Sequence, residues 1–307
     1  MVVIEPTVTV VINTYNDKLH IGNAVRSVLS QTRRPFEVIV IDDGSTDGTE
    51  RLVRNEFGED VRYHYHTNRG IGASRNVGMR LASGEWIAFL DSDDYWAPEK
   101  LELQIAAAIA EAGVAVVTCV GLLSTPEGSV LRQLGLPQPF STNAVRSALR
   151  RRCILLPSGV LIRREALQQV GGFPEDLSAG EDHVTFARIA ASFEIAAVDQ
   201  PLFYKTRLQG SRSSQAEAAV DGGRIAVRRI KEALTRRTWP GSWLDEVVFR
   251  QAETQLFFHA AWLYIAMSEK RKAAASILRG LAHCPLLTIW QYRSVYWLCV
   301  RLVRRRA

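Results

Sequence analysis

The stretch VTVVINTYNDKLHIGNAVRSVLSQTRRPFEVIVIDDGSTDGT, residues 8–49, decides the fold. Val8–Asn13 is a continuous β-branched run, the composition of a strand buried on both faces. Leu19–Thr32 follows with Ile21, Ala24, Val25, Val28 and Leu29 at helical spacing. Phe36–Ile41 is a second strand, and the Asp/Gly/Ser-rich stretch after it is a turn signal. The same alternation continues outward. A short helix at Thr49–Phe57 precedes a strand at Val61–His66, and a Gly-rich turn leads to a helix near Ala73–Ala82. Glu85–Leu90 is another strand and ends in the acidic cluster Asp91-Ser92-Asp93-Asp94. Pro98 opens a helix that Glu99–Glu111 continues, and Val114–Thr118 is a further strand. Later, Ser158–Ile162 reads as a strand and Glu181–Ala191 as a helix. A β-α-β-α order predicts an α/β domain, a mainly parallel sheet with helices on both faces. Ligands of such sheets bind at the carboxyl ends of the strands. The polar clusters after Ile12, Ile41 and Leu90 all fall there.

Composition agrees with a folded domain. The 307 residues are 47% hydrophobic and 23% charged, which excludes a disordered chain, a collagen-like repeat and a disulfide scaffold. The net charge of +6 hides an asymmetry. Residues 1–210 hold 21 Lys+Arg against 25 Asp+Glu, and residues 211–307 hold 17 against 7. The expected division is therefore a 1–210 α/β domain, which the resemblance given below makes the catalytic one, and a 211–307 basic, helical C-terminal extension. Cys119, Cys153, Cys284 and Cys299 form no C-x-x-C pair, so they predict neither a zinc site nor a disulfide framework. The N-terminus lacks a basic n-region and a cleavage site, and a signal peptide is not expected. The longest stretches without Asp, Glu, Lys or Arg, Ala112–Pro126 and Thr254–Ser268, are 15 residues each. A spanning helix needs about 20, so no transmembrane helix is expected.

Four motifs carry chemistry, and each has a bland meaning when taken alone. Asp91 and Asp93 lie at i and i+2 of an extended run, which would aim two carboxylates at one spot. Hard oxygen donors beside a diphosphate suit Mg²⁺ or Mn²⁺, but acidic turns and helix caps are commoner. Asp42-Asp43-Gly44-Ser45 ends a buried strand, where a carboxylate can accept from a base N–H or a ribose hydroxyl; a plain turn has the same composition. Asn68-Arg69-Gly70-Ile71-Gly72-Ala73-Ser74-Arg75-Asn76 permits close backbone approach, and Arg75 could meet a phosphate or base. It is not G-x-G-x-x-G and does not follow the first strand, which argues against a nicotinamide-dependent oxidoreductase. Gly180-Glu181-Asp182-His183 opens a helix whose positive end keeps a carboxylate ionised, either as a cap or as a general base.

Taken in order, VTVVINTYND, QTRRPFEVIVIDDGSTDGT, NRGIGASRNVGM, GEWIAFLDSDDYWAPEKLE and GGFPEDLSAGEDHVTFARI resemble a family 2 glycosyltransferase with the GT-A fold, over about residues 7–205. The order and spacing together are specific where each piece is not. The resemblance implies a Rossmann-like GT-A domain and transfer, with inversion, from a nucleotide-diphosphate sugar to an acceptor hydroxyl. It places Asn13, Thr14 and Tyr15 at the nucleobase end of the donor, with Asp43, or less favourably Asp42, accepting from the base. Arg75 would hold the nucleotide, and Asp91, with Ser92 beside it, would contact the ribose or the metal's water shell. Asp93 would be the principal ligand of a divalent cation, Mn²⁺ or Mg²⁺. Asp182 would be the catalytic base, with Glu181 as second choice. Members often carry a His after the strand that follows the base helix. Here the run Phe203–Ser211 has none, and Lys205 or Arg207 could neutralise phosphate instead.

Partners implied are the nucleotide-sugar donor and a saccharide or lipid-linked acceptor, in a cytoplasmic protein. The tail segment Leu286–Arg306 mixes Trp290, Tyr292, Tyr296 and Trp297 with five arginines. It suits either an anionic membrane surface, giving peripheral docking on the inner face, or packing on the catalytic domain. No nucleic-acid module accompanies the basic residues. A non-catalytic sugar-nucleotide-binding or scaffold subunit is the alternative function.

Overall fold

All seven residues of β1 (Val8–Thr14) are buried, because helices cover both sides of the strand. On one side Val8, Val10 and Ile12 meet Ile21, Ala24, Val25 and Val28 of α1 (Ile21–Leu29), one apolar stripe of that helix. β2 (Glu37–Asp42), α2 (Thr49–Phe57) and β3 (Arg62–Tyr65) extend the pattern. On the other side lies α3 (Ile71–Leu81). A Cβ on its Gly78 would stand 2.3 Å from Val11 Cγ1, so only glycine allows that approach. β4 (Trp86–Asp91) and the short β5 (Asp94–Trp96) precede α4 (Lys100–Ala110).

The computed structural model describes residues 6–111, 113–125, 129–134, 155–206, 216–235, 257, 261 and 269–283. The remaining strands are β6 (Val114–Ser124), β7 (Val130–Leu134), β8 (Leu161–Arg163) and β9 (Glu194–Thr206). α5 (Arg164–Gln169) and α6 (Glu181–Ala190) lie between β8 and β9. The sheet order is β3-β2-β1-β4-β8-β6-β9-β5, with β7 on β6. β1 to β4 are parallel to one another, as the β-α-β-α order requires. Beyond β4 the sheet is mixed: β8 is antiparallel to β4 and β6, β5 is antiparallel to β9, and β6 and β9 are parallel.

Beyond shifts of one to three residues at element ends, three regions differ from the sequence expectation. The strand expected at Ser158–Ile162 begins as a 3-10 turn at Pro157–Gly159 and pairs only over Leu161–Arg163: proline's fixed φ suits the first position of a helical turn, and Gly159 N and Val160 N donate to Leu156 O and Pro157 O. The strand expected over Val114–Thr118 runs to Ser124, through Gly121. Gly121 is needed there: a Cβ would lie 2.2 Å from the Phe203 ring. Asp94, the last residue of the acidic cluster, opens a strand, Asp94–Trp96, because β9 supplies a ladder for it.

The chain forms two compact units, 1–142 with 153–176 and 185–208, and 143–152 with 177–184 and 209–307. The sheet belongs to the first. Leu177–Val184, with Glu181 and Asp182, groups with the second, although it precedes residue 210 in sequence. In that unit α7 (Ala216–Thr235) lies against this segment, since Cβ atoms on Gly222 and Gly180 would meet Ala179 O at 2.6 Å and Ala226 Cβ at 2.9 Å. α8 (Lys270–His283) is the other described helix there. Residues 286–306, Arg207, Cys153, Cys284 and Cys299 fall outside the described residues. Cys119 is a buried free thiol. Among the described residues no helix is long and apolar enough to cross a membrane.

Candidate active site

The parallel register brings the three polar clusters side by side. Asn13 is paired with Ile41 of β2 and with Asp91 of β4, and Thr14 with Asp42. The ladder then continues into the loops, where Asp43 N donates to Thr14 O and Ser92 N donates to Asn13 O. Strand alternation sends Asn13 and Asp91 to the α3 side, and Thr14 and Asp42 to the α1 side. Both polar atoms of the Asn13 side chain, and the Thr14 hydroxyl, are buried with no hydrogen-bond partner among the described residues. Such atoms are expensive to leave unmet, and they mark a place where a ligand is expected. Tyr15, just beyond, is 53% exposed.

The neighbouring pair Asp42 and Asp43 separates into two roles. Asp42 is fully buried; it accepts from Ser45 N at 2.7 Å and from the Tyr63 hydroxyl. Burial, then this bond to Asp42, pushes the Tyr63 phenol far above its usual range. Asp43 stands at the strand end and accepts from Arg69 N at 2.7 Å and Gly70 N at 3.0 Å, fixing the loop that enters α3. His66 Nδ1 lies 3.5 Å from it, and His66 Nε2 faces the Ser74 hydroxyl at 3.3 Å.

Arg75 projects from α3 and is 2% exposed. Its Nη2 donates to Asp91 Oδ1 at 2.9 Å, and its guanidinium stacks over Phe173 at 5.5 Å. Phe173 in turn packs edge-on against Phe89. This aromatic floor holds the fork toward the end of β4.

Asp91, Asp93 and Asp94 bring carboxylate oxygens within 4.8 Å of one another. The reason is not strand alternation, as Asp91 and Asp93 alone would have it. β4 stops at Asp91, Ser92 and Asp93 form a turn, and β5 starts at Asp94. The turn is tied by Ser92 Oγ, which donates to Asp17 Oδ2 at 2.7 Å, and by Ser158 Oγ, which donates to Asp94 Oδ2 at 2.6 Å. Across the ladder from Asp94 stands Lys205, whose Nζ is 3.2 and 3.4 Å from the two Asp94 oxygens and 3.9 Å from Asp93 Oδ1. Burial raises Asp94 to about 7, with Asp93 and Asp91 adding to the rise and Lys205 opposing it. Burial likewise raises Asp93. Burial alone would lower Lys205, but Asp94, Asp93 and Asp91 together hold its ammonium well above the usual lysine range. All-oxygen donors of this kind fit Mg²⁺ or Mn²⁺, with Asp93 and Asp91 the carboxylates least engaged by Lys205.

Glu181 and Asp182 begin α6, after Gly180 at φ 84°. Glu181 is buried. Asp182 is partly buried, and its Oδ1 accepts from His183 N at 2.7 Å. His183 Nδ1 lies 3.6 Å from the same oxygen, a neighbour of the carboxylate and not a member of the acidic cluster.

The first unit thus assembles Asn13, Thr14, Asp43, Arg75, Asp91, Ser92 and Asp93 along one sheet edge, while Asp42 is committed to the interior. Sequence reasoning missed Asp94, Asp17 and Ser158. The four-residue acidic cluster already contained Asp94, but its pairing with Lys205 depends on two strands 111 residues apart.

The family model for "Glycosyl transferase family 2" matches residues 9–171, more than half of the 307-residue chain. The chain belongs to glycosyl transferase family 2. It is 31% identical over 208 residues to an "Uncharacterized glycosyltransferase" of Rickettsia felis, covering 67% of this chain and 34% of that protein. It is 34% identical over 210 residues to the "Succinoglycan biosynthesis protein ExoO" of Rhizobium meliloti, covering 65% and 60%. The chain spans about a third of the length of the first of these relatives. Among solved structures it is similar to S. aureus TarS 1–349 in complex with UDP-GlcNAc (TM-score 0.61, 21% identity, 89% of each chain). It is also similar to the mannosyltransferase PcManGT of Pyrobaculum calidifontis in complex with GDP-Man and Mn²⁺ (TM-score 0.57, 23% identity, 99% of this chain and 88% of that one). These likenesses show the GT-A fold.

Proposed function

We propose that this member of glycosyl transferase family 2 transfers a sugar, with inversion, from a nucleotide-diphosphate sugar to an acceptor hydroxyl. The pathway we infer is assembly of a polysaccharide, lipopolysaccharide or other glycoconjugate, and the relative named for succinoglycan biosynthesis supports that setting. One observation carries the reading. The unmet amide of Asn13 lies in register with Asp91, next to Arg75 and the acidic turn, in a chain of this family.

Asn13, Thr14, Tyr15 and Asp43 take the nucleobase end. Asp43, just past the end of β2, is preferred to Asp42, which is fully buried within the strand and faces Tyr63. Arg75, Asp91 and Ser92 position the ribose and diphosphate, and Asp93 with Asp91 holds a divalent cation. That cation, when bound, neutralises charge on the diphosphate as it leaves. Asp182 removes the acceptor hydroxyl's proton while the oxygen attacks the anomeric carbon. The bond from that carbon to the diphosphate oxygen breaks, and its electron pair departs with the nucleoside diphosphate. No covalent enzyme intermediate forms. Glu181, more buried than Asp182, is the less suitable base. The acceptor is a saccharide or a lipid-linked saccharide, reached from the cytoplasmic side, with the basic C-terminal stretch as a membrane-docking element.

Transfer from UDP- and GDP-sugars, followed by nucleoside diphosphate release, tests the reading. Asp182→Asn is expected to slow transfer by about 10²–10⁴-fold, the usual span of a general base, with nucleotide affinity nearly unchanged. Wild-type turnover in that variant would remove Asp182 from the role. Nucleotide binding by the wild type without transfer would favour the non-catalytic subunit.

A further inference from the structure

Lys205 occupies the acidic cluster in a way the transfer reading does not require. Its place is set by strand pairing: Asp94 faces Lys205, Tyr95 faces Tyr204 and Trp96 faces Phe203. Tyr95 and Tyr204 stack with ring centroids 4.8 Å apart. Phe203 is buried, with room made by Gly121 and Gly159, where any Cβ would come within 2.7 Å of the ring. The backbone at Lys205 is thereby held. Its ammonium lies within 3.4 Å of both Asp94 oxygens and 3.9 Å from Asp93. Asp91 and Asp17 are the other carboxylates facing the turn. The Ser158 hydroxyl donates to the same Asp94.

We propose that Lys205 is the resident counter-cation of the Asp91–Asp93–Asp94 cluster, so that a divalent ion binds well only together with a nucleoside diphosphate that takes over the Lys205 ammonium. A divalent ion bound to these carboxylates carries two positive charges into the space that the ammonium partly neutralises, and the two repel at short range. The lysine stem is flexible and its head is a compact point charge, so it can swing from Asp94 to a nearby anion. A diphosphate supplies that anion. Metal and nucleotide are then coupled through one side chain, and by reciprocity each raises the other's affinity by the same factor.

This inference rests on the metal-assisted reading above and is separable from it. Mn²⁺ binding, followed by electron paramagnetic resonance of the free ion with and without UDP or GDP, is measured for wild type, Lys205→Met and Lys205→Arg. Lys205→Met is expected to bind Mn²⁺ alone at least tenfold more tightly than wild type. The enhancement of Mn²⁺ binding by nucleoside diphosphate should fall by a similar factor. Lys205→Arg, which keeps the charge, should resemble wild type. A merely structural lysine would weaken both measurements together. If Lys205→Met does not fold, Lys205→Gln keeps a hydrogen-bond donor without the charge and should show the same two changes. Mn²⁺ affinity that is equal or weaker in the uncharged variants overturns the proposal and leaves the metal reading standing. No Mn²⁺ binding by any variant, even with nucleotide, overturns both.

Discussion

Lys100 begins α4, and its side chain is fully buried. The ammonium donates to Gln104 Oε1 at 2.7 Å and sits 4.0 Å from the centroid of the Trp96 ring. Gln104 is in turn locked by bonds from its Nε2 to Val117 O and Gly159 O. Burial lowers Lys100 from 10.5 to about 8, with the Cys119 thiol opposing slightly. One unit is worth 1.36 kcal/mol, so the charged form is disfavoured in the folded state by about 3 kcal/mol. The folded pKa lies below the unfolded one, so the unfolded chain binds more protons between about 8 and 10.5, and stability rises with pH across that window. The penalty is present in full below about 8. Other groups titrate there too; burial raises Cys119 to about 11, and its loss of stability above 9 runs the opposite way. Comparison with Lys100→Met cancels the groups that do not interact with Lys100, and Cys119 titrates mostly above the window compared. Methionine fills a similar volume but leaves Gln104 Oε1 without its donor, which costs about 1–3 kcal/mol. The absolute gain at pH 7 is therefore small, whereas its pH dependence is not. From pH 7 to 9.5 the wild type should recover about 2 kcal/mol of the penalty while the variant recovers none. Urea unfolding at both pH values measures the difference between the two proteins. A difference that stays constant would mean that Lys100 is not held as a disfavoured cation in this core.

Other outcomes follow from the same geometry. Asn13→Ala removes a buried amide with no described partner, so stability should change by no more than about 1 kcal/mol, while nucleotide affinity by calorimetry should drop about tenfold. A large loss of stability with unchanged affinity would show that the amide serves the fold alone. Gly78→Ala forces a methyl to 2.3 Å from Val11 Cγ1 and should cost about 1–3 kcal/mol, read as a lower Tm. A Tm equal to that of the wild type would mean that α3 can shift off the sheet freely.

Strand and helix order were legible because their signals are local. The β-branched run of β1, the apolar stripe of α1 and the polar ends after Ile12, Ile41 and Leu90 are written in consecutive residues. A parallel β-α-β sheet follows from such an order, and with it the edge where Asn13, Asp43 and Asp91 meet. The separation of Asp42 from Asp43 was not legible. Both are acidic and adjacent, and only Tyr63, arriving on β3, commits the first to the interior. The acidic turn was legible as two carboxylates, but its convergence comes from the break between β4 and β5 and not from alternation along one strand.

By itself the sequence determined the parallel half of the sheet, the family and the identity of the polar groups at the strand ends, because these depend on periodicity and on motifs short enough to be read in order. Only the tertiary structure decided how the charges balance. Lys205 reaches Asp94 because β5 and β9 pair, and Ser92 reaches Asp17 because β4 lies beside β1. It also grouped Asp182 with the second unit through the glycines of α7 and its neighbour. Electrostatic partners are chosen by distance in space, and residues 111 positions apart carry no sign of that distance in the sequence.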